Sequence, residues 1–330
     1  MKHGGDLSNL REKLGVNYPI IDLSTGINPH HYPHNLQPLE SLNALPSAND
    51  LQILNKAATS YYRVHETWGY IALPGSQIAL SLLPSALKNS ENMKVGIISP
   101  TYNEYEYSWR SNGVTPSLIS SFDQACEVPY GVVYLCNPNN PDGELKRAST
   151  IIDKAQQHPE TIFIIDEAFM DCSPEESILL KPIHENIIVI RSFGKFFGLA
   201  GLRLGWVFAA TEIIEKFKSM VGPWAVNTLA LQIAAAAYQD QEWQEQQLSV
   251  LNDMQKNMKA LFQEKHIDLA GQTPLYSLIK LDDAQCLHEA LANKGIWTRI
   301  FDYDPQWMRL GVPKNENDFL KFKEALTSYV

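Results

Sequence analysis

Lys195 lies in the run Arg191-Ser192-Phe193-Gly194-Lys195-Phe196-Phe197-Gly198-Leu199-Ala200-Gly201-Leu202-Arg203-Leu204-Gly205, with a serine three residues before it and an arginine eight after. Apolar strand-like runs flank it, Asn186-Ile190 before and Leu204-Ala209 after. An ammonium among aromatics and glycines is costly to bury, and its usual outcomes are a depressed pKa or covalent use. Lysines of this kind form Schiff bases with carbonyl compounds. Glycines let the backbone come close to a flat or phosphorylated group. Ser192 and Arg203 add a hydroxyl and a fork of donors for phosphate oxygens. The cofactor that needs both an imine and a phosphate grip is pyridoxal 5′-phosphate.

Other segments supply the remaining parts of such a site. Thr161-Ile165 leads into Asp166-Glu167-Ala168-Phe169, an acid at the end of an apolar strand. An Asp there also serves as a helix cap or ion-pair member. Beside a pyridine nitrogen its job is specific, because it keeps the nitrogen protonated and the ring able to accept electrons. Ala168 is small enough to lie under such a ring. Asn137-Pro138-Asn139-Asn140-Pro141-Asp142-Gly143 reads as a turn by composition. Its tandem Asn-Pro spacing favours a second role, with Asn140 donating to the ring's phenolic oxygen. Leu73-Pro74-Gly75-Ser76-Gln77 opens a helix-compatible stretch whose first N–H groups suit an anion. Ser76 and Gln77 can add side-chain donors. Tyr102 is a candidate to stack on the free ring face.

These pieces need elements to hold them. Strand candidates are Lys94-Ser99, Gly131-Cys136, Thr161-Ile165, Asn186-Ile190 and Arg203-Ala209, with helical stretches such as Glu104-Asn112 and Thr150-His158 between them. Near-continuous apolar strands alternating with helices predict an α/β fold, a three-layer α/β/α domain with a mostly parallel sheet. Ligands in such sheets bind beyond the carboxyl ends of the strands, where the residues above fall. After Asn227 the pattern becomes α+β: helices Thr228-Gln239, Glu242-Lys265 and Ala284-Lys294 with strands Tyr276-Leu281 and Met308-Gly311. The expected division is a large cofactor-binding domain over 33–235 and a smaller α+β domain from 1–32 and 236–330.

Composition limits the partners. The chain has 330 residues, 45% of them hydrophobic, and a formal net charge of −10 with scattered basic residues, so no basic stripe for nucleic acid is expected. No apolar run approaches a membrane span, and no apolar leader follows Met1. The four cysteines show no metal-ligand spacing, so no metal site is expected. A buried structural role is expected for Cys136, and a cytoplasmic protein with reduced thiols is the simplest reading.

Over nearly its whole length the chain resembles fold-type I pyridoxal-phosphate enzymes, the aspartate aminotransferase superfamily, near the histidinol-phosphate aminotransferase branch. Three features are more similar to the threonine-phosphate decarboxylases of cobalamin biosynthesis. They are His3-Gly4-Gly5-Asp6 with Asp22-Leu23-Ser24-Thr25-Gly26-Ile27-Asn28-Pro29; Phe169 where aminotransferases usually place Tyr; and Pro223-Trp224-Ala225-Val226-Asn227. The resemblance implies Lys195 as the Schiff-base lysine and Asp166 as partner of the ring nitrogen. It implies Gly75, Ser76, Ser192 and Arg203 for the cofactor phosphate, with Asn140 and Tyr102 against the ring. Arg309 would grip the substrate carboxylate, and His3 and Asn28 would line the substrate pocket.

The implied reaction is decarboxylation of L-threonine O-3-phosphate by a homodimer. The alternatives are a histidinol-phosphate-type aminotransferase and a catalytically silent cofactor-binding regulator. Two departures stand out. Leu45 replaces a tyrosine that reaches the neighbouring subunit's cofactor phosphate in dimeric relatives, and Gly194 stands where many relatives carry Ser or Thr.

Overall fold

The computed structural model describes residues 4, 5, 7, 20–34, 42–87 and 93–329. Contacts divide the chain into two compact units, one of Tyr32–Asn140 and Glu144–Gln241, the other of Met1–His31, Pro141–Gly143 and Glu242–Val330.

Among the described residues, the larger unit is built on a seven-stranded sheet. Its order is Gly69–Leu73, Gly205–Ala209, Ile187–Ser192, Ile162–Asp166, Val132–Cys136, Val95–Ile98 and Ser117–Ile119. Gly205–Ala209 runs antiparallel to both neighbours, and the other pairings are parallel. Every residue of Val132–Cys136, Ile187–Ser192 and Gly205–Ala209 is buried, which is why these strands read as continuous apolar runs and not as alternating ones. One core of this unit joins Leu80, Leu83, Tyr105 and Trp109 from the helices to Val132, Ile164, Ile188 and Val207 from the sheet.

The smaller unit is α+β. Its four-stranded antiparallel sheet has the order Arg299–Phe301, Asp304–Gly311, Tyr276–Lys280, Asp268–Thr273. A short parallel pair joins Ile21–Asp22 to Ile296–Trp297. The helix Gln241–Glu264 buries Gln247, Leu251, Gln255, Met258, Leu261 and Phe262, the three-and-four spacing of one helical face. Asp283 and Asn315 cap the next two helices by accepting main-chain N–H groups.

The expected strands and helices are present with shifted ends. The strand expected from Arg203 begins at Gly205, because Arg203 closes a short helical turn in the left-handed region, with φ 57° and ψ 65°. The last strand begins at Asp304 instead of Met308, its first half being too polar to show a strand pattern. Cys136 is buried, as expected, with Sγ 3.3 Å from the Pro138 carbonyl oxygen. Among the described residues no helix is long and apolar enough to cross a membrane.

Candidate active site

The parallel strands of the larger unit deliver their motifs to one edge of the sheet. Asp166 and Ser192 are the last residues of their strands, and Gly75, Tyr102 and Asn140 follow the ends of three others. Gly205 opens the reversed strand at the same edge, paired with Ser192 on one side and with Leu73 on the other.

Ser76 starts a twelve-residue helix, Ser76–Leu87, directly against this edge. A Cβ on Gly205 would lie 2.3 Å from the Ser76 nitrogen, so only glycine allows the strand to meet the helix start. Gly75 has φ +94°, and a Cβ there would lie 2.6 Å from Arg203 Nη2. The Arg203 guanidinium thus lies over the Gly75 backbone just before the helix start, while Ser192 pairs with Gly205 at the same sheet edge. Main-chain N–H groups, a hydroxyl and a guanidinium in one place form a donor set suited to a phosphate. Gln77 donates its side-chain amide to Glu104 at 3.0 Å and accepts the Tyr102 hydroxyl at 3.2 Å, which orients Tyr102.

The asparagine loop is held by its own side chains. Asn137 exchanges two hydrogen bonds with the Lys146 main chain, at 2.8 and 2.9 Å. Asn139 accepts the Thr101 hydroxyl at 2.9 Å and donates to the Pro100 carbonyl at 3.1 Å. These bonds tie the Asn140 loop to the Tyr102 loop and leave Asn140 half-buried.

Asp166 is buried and accepts the Tyr105 hydroxyl at 2.7 Å and the Ala168 N–H at 3.0 Å. Burial raises its pKa above the ordinary carboxylate value, opposed by Tyr105, the Ala168 N–H and Lys195. Lys195 is half-buried, with Nζ 5.7 Å from the centre of the Phe169 ring. Phe169 therefore presents a ring face, without a hydroxyl, to the ammonium.

The Gly194 departure has a steric cause: a Cβ there would lie 2.6 Å from the Ala200 Cα. Gly194→Ser is expected to lower stability by about 1–3 kcal/mol through overpacking. It should not tighten cofactor binding. A denaturant midpoint and a pyridoxal-phosphate titration check both parts, and a folded variant of higher affinity would contradict them. Leu45 is 65% exposed and carries no polar atom to donate.

His3 lies outside the described residues. The glycines after it are described, and they join the smaller unit's other motifs. Gly5 N–H donates to Ser24 Oγ at 2.9 Å, and Ser24 Oγ donates to Asp22 at 2.6 Å. Arg309 is buried and donates Nη2 to the Ser24 carbonyl at 3.0 Å. Gly311 donates to the Leu23 carbonyl at 2.7 Å, and its Cβ would lie 2.4 Å from the Thr25 oxygen. Asn28 is buried and accepts from His30 N–H at 2.9 Å and from Gln247 at 3.3 Å.

Sequence reasoning passed over Arg299, which faces Arg309 in the strand register. Directly opposed residues share a sheet face, so both arginines rise from one face, Arg299 against the Phe301 ring and Arg309 against the Tyr276 ring. Burial lowers the Arg309 pKa, and Arg299 adds to the effect. It also passed over Tyr105, whose signal was its place one turn of helix before Trp109.

Residues 20–321 match the family model for class I and II aminotransferases. The chain belongs to the class I and II aminotransferase family. It is 32% identical to the threonine-phosphate decarboxylase of Pseudomonas aeruginosa, covering 100% of this chain and 98% of that protein. It is also 32% identical to that of a Sinorhizobium species, covering 98% and 97%. The fold is that of the histidinol-phosphate aminotransferase from Clostridium acetobutylicum, with a TM-score of 0.82 and 24% identity over 94% of this chain and 99% of the other.

The family's cofactor is pyridoxal phosphate, and the larger unit fits it. The glycine-lined meeting of the helix start with Arg203 suits its phosphate, and the buried Asp166 suits a pyridinium.

Proposed function

We propose that the chain decarboxylates L-threonine O-3-phosphate to (R)-1-amino-2-propanol O-2-phosphate, a step of cobalamin biosynthesis. Its full-length similarity to two threonine-phosphate decarboxylases carries this reading. When bound, pyridoxal phosphate supplies an electron sink for the pair left as the substrate's carboxylate departs as carbon dioxide.

The chain's residues then have separable tasks. Ser192, Arg203, Gly75 and the N–H groups at Ser76 and Gln77 hold the cofactor phosphate. Asp166 keeps the ring nitrogen protonated, Asn140 donates to the phenolic oxygen, and Tyr102 and Ala168 bound the ring faces. Lys195 binds the cofactor at rest, and its Nζ is the acid that returns a proton to the substrate Cα. Phe169 offers no hydroxyl, which leaves Asn140 as the side-chain donor to the phenolic oxygen.

The substrate carries two anionic groups, and the smaller unit carries two guanidiniums on one sheet face. In this reading Arg309 takes the carboxylate, and His3 and Asn28 line the pocket. Arg309→Lys is expected to raise the KM for threonine phosphate by about 10–100-fold, because an ammonium does not reproduce a planar fork. An unchanged KM would move the carboxylate site elsewhere. The working form is a homodimer in the cytoplasm; sedimentation velocity tests the dimer, and cell fractionation tests the location.

Product analysis tests the reaction. Incubation with threonine phosphate should release carbon dioxide and aminopropanol phosphate in equal amounts. A keto acid with retained carboxylate would instead assign transamination, and absence of turnover with any amine would assign a silent binding fold.

A further inference from the structure

Tyr105 has no place in the roles assigned above, yet its side chain hydrogen-bonds Asp166 directly. Its residue is 1% exposed, and its hydroxyl donates to Asp166 Oδ2 at 2.7 Å. The helix Glu104–Arg110 buries Tyr105, Ser108 and Trp109, the three-and-four spacing of one face. The Tyr105 ring stacks on Tyr134 at 5.3 Å and 25°, and Tyr102 meets its edge at 5.7 Å. Trp109 Nε1 donates to the Tyr134 hydroxyl at 2.9 Å, locking that stack from behind. The phenol is held against the carboxylate by the buried Tyr134 ring on one side and the half-buried Tyr102 ring on another.

Resting on the proposed function, we propose that Tyr105 is a positioning residue that holds Asp166 ionised and aimed at the cofactor's ring nitrogen. The argument is one of satisfied oxygens. Oδ1 takes the Ala168 N–H, and Oδ2 takes the phenol. A hydrogen bond donated to a carboxylate favours its charged form, and removing one inside a protein favours uptake of a proton. Burial and the nearby Asp166 keep Tyr105 itself protonated, so it stays a donor. The other groups facing Asp166 are Lys195 and Arg191, with the Cys136 thiol beside the phenol. Without Tyr105, Asp166 loses one of the bonds that favour its charged form, and its hold on a protonated ring nitrogen weakens.

The test is Tyr105→Phe, which keeps the ring packing and deletes one oxygen. Pyridoxal phosphate should dissociate about tenfold more readily, the loss of one charge-assisted hydrogen bond. The ¹⁵N shift of ring-labelled cofactor should move toward the unprotonated value. In an Asp166→Asn background the same change should alter affinity by less than about twofold, since coupled sites are non-additive. Thr161→Val is the control. It removes a buried hydroxyl bond to the Tyr130 carbonyl at the residue just before the strand that ends in Asp166. It should lower stability without moving the ¹⁵N shift.

A Tyr105→Phe protein that behaves like Thr161→Val, or that loses equal affinity in both backgrounds, would overturn the proposal. If Tyr105→Phe does not fold, 3-fluorotyrosine at position 105 makes a stronger donor and should move the shift the opposite way; an unmoved shift would overturn the proposal equally. A wild-type protein that binds no pyridoxal phosphate would overturn the proposed function as well, whereas a silent Tyr105→Phe overturns only this inference.

Discussion

Lys195→Ala removes the visible absorbance of bound pyridoxal phosphate and leaves borohydride nothing to fix to the protein. Turnover of threonine phosphate falls by at least about 10²–10⁴-fold, the usual contribution of one positioned acid–base group. The larger part of the loss is expected from the proposed covalent role. Lys195 is the lysine of the Ser192–Gly198 turn, its Nζ lies 5.7 Å from the Phe169 ring centre, and its charge favours the ionised form of Asp166. Alanine leaves the surrounding packing in place, since Phe193, Phe196 and Phe197 are buried independently of it. The variant should therefore fold normally and still bind the cofactor phosphate through Ser192 and Arg203. Persistence of the absorbance and of borohydride fixation would remove Lys195 from the mechanism.

Arg191→Met has the largest expected effect on stability. Arg191 sits 3.0 Å from Glu167 and 3.2 Å from Asp171, and all three side chains are at most 2% exposed. Glu167 also accepts the Ser177 hydroxyl at 2.6 Å and the Ile178 N–H at 2.9 Å. Asp171 Oδ1 lies 3.2 Å from Arg191 Nη2, and its charge is favoured chiefly by that guanidinium, with Tyr61 adding to it. The guanidinium carbon lies 4.2 Å from the Tyr62 ring centre. Burial pulls the Arg191 pKa down, but Asp171, Tyr62 and Glu167 outweigh it and hold the group firmly charged.

Removing the cation strands two buried carboxylates, a loss of about 3–5 kcal/mol. Burial already raises the pKa values of Glu167 and Asp171, and the variant raises them further. The sign follows from proton uptake. A folded-state pKa above the unfolded one means that the folded protein binds the extra proton. The deficit of Arg191→Met is therefore full near neutrality and shrinks as pH falls through the raised folded pKa values. Urea unfolding of both proteins at several pH values checks this, and a midpoint equal to wild type near neutrality would show the network to be dispensable.

These two residues differ in how visible they were. Lys195 stands out because everything that marks it is local: a serine, glycines and an arginine within one short run. Asp166, Asn140 and Gly75 were legible for the same reason, each following an apolar strand whose end is readable from sequence. The alternation of such strands with helices was also enough for the fold class. Arg191 belongs to the same run as Lys195, yet nothing local shows that it pairs with Glu167. That pairing arises where the strand Ile187–Ser192 lies beside Ile162–Asp166 in a parallel register.

Gly194 illustrates the other limit. Read alone, it is a missing hydroxyl; in the folded chain it is the one residue that fits against Ala200. The meeting of Gly5, Ser24, Arg309 and Gly311, the facing of Arg299 by Arg309, and the Tyr105–Asp166 bond are of the same kind. Sequence picked out candidate residues for chemistry and the strand ends at which they stand, because strand period, turn residues and helix starts are short-range properties of the chain. Tertiary structure alone decided which side chain holds which, because strand register and the rotation of a packed helix are set by burial of the whole core.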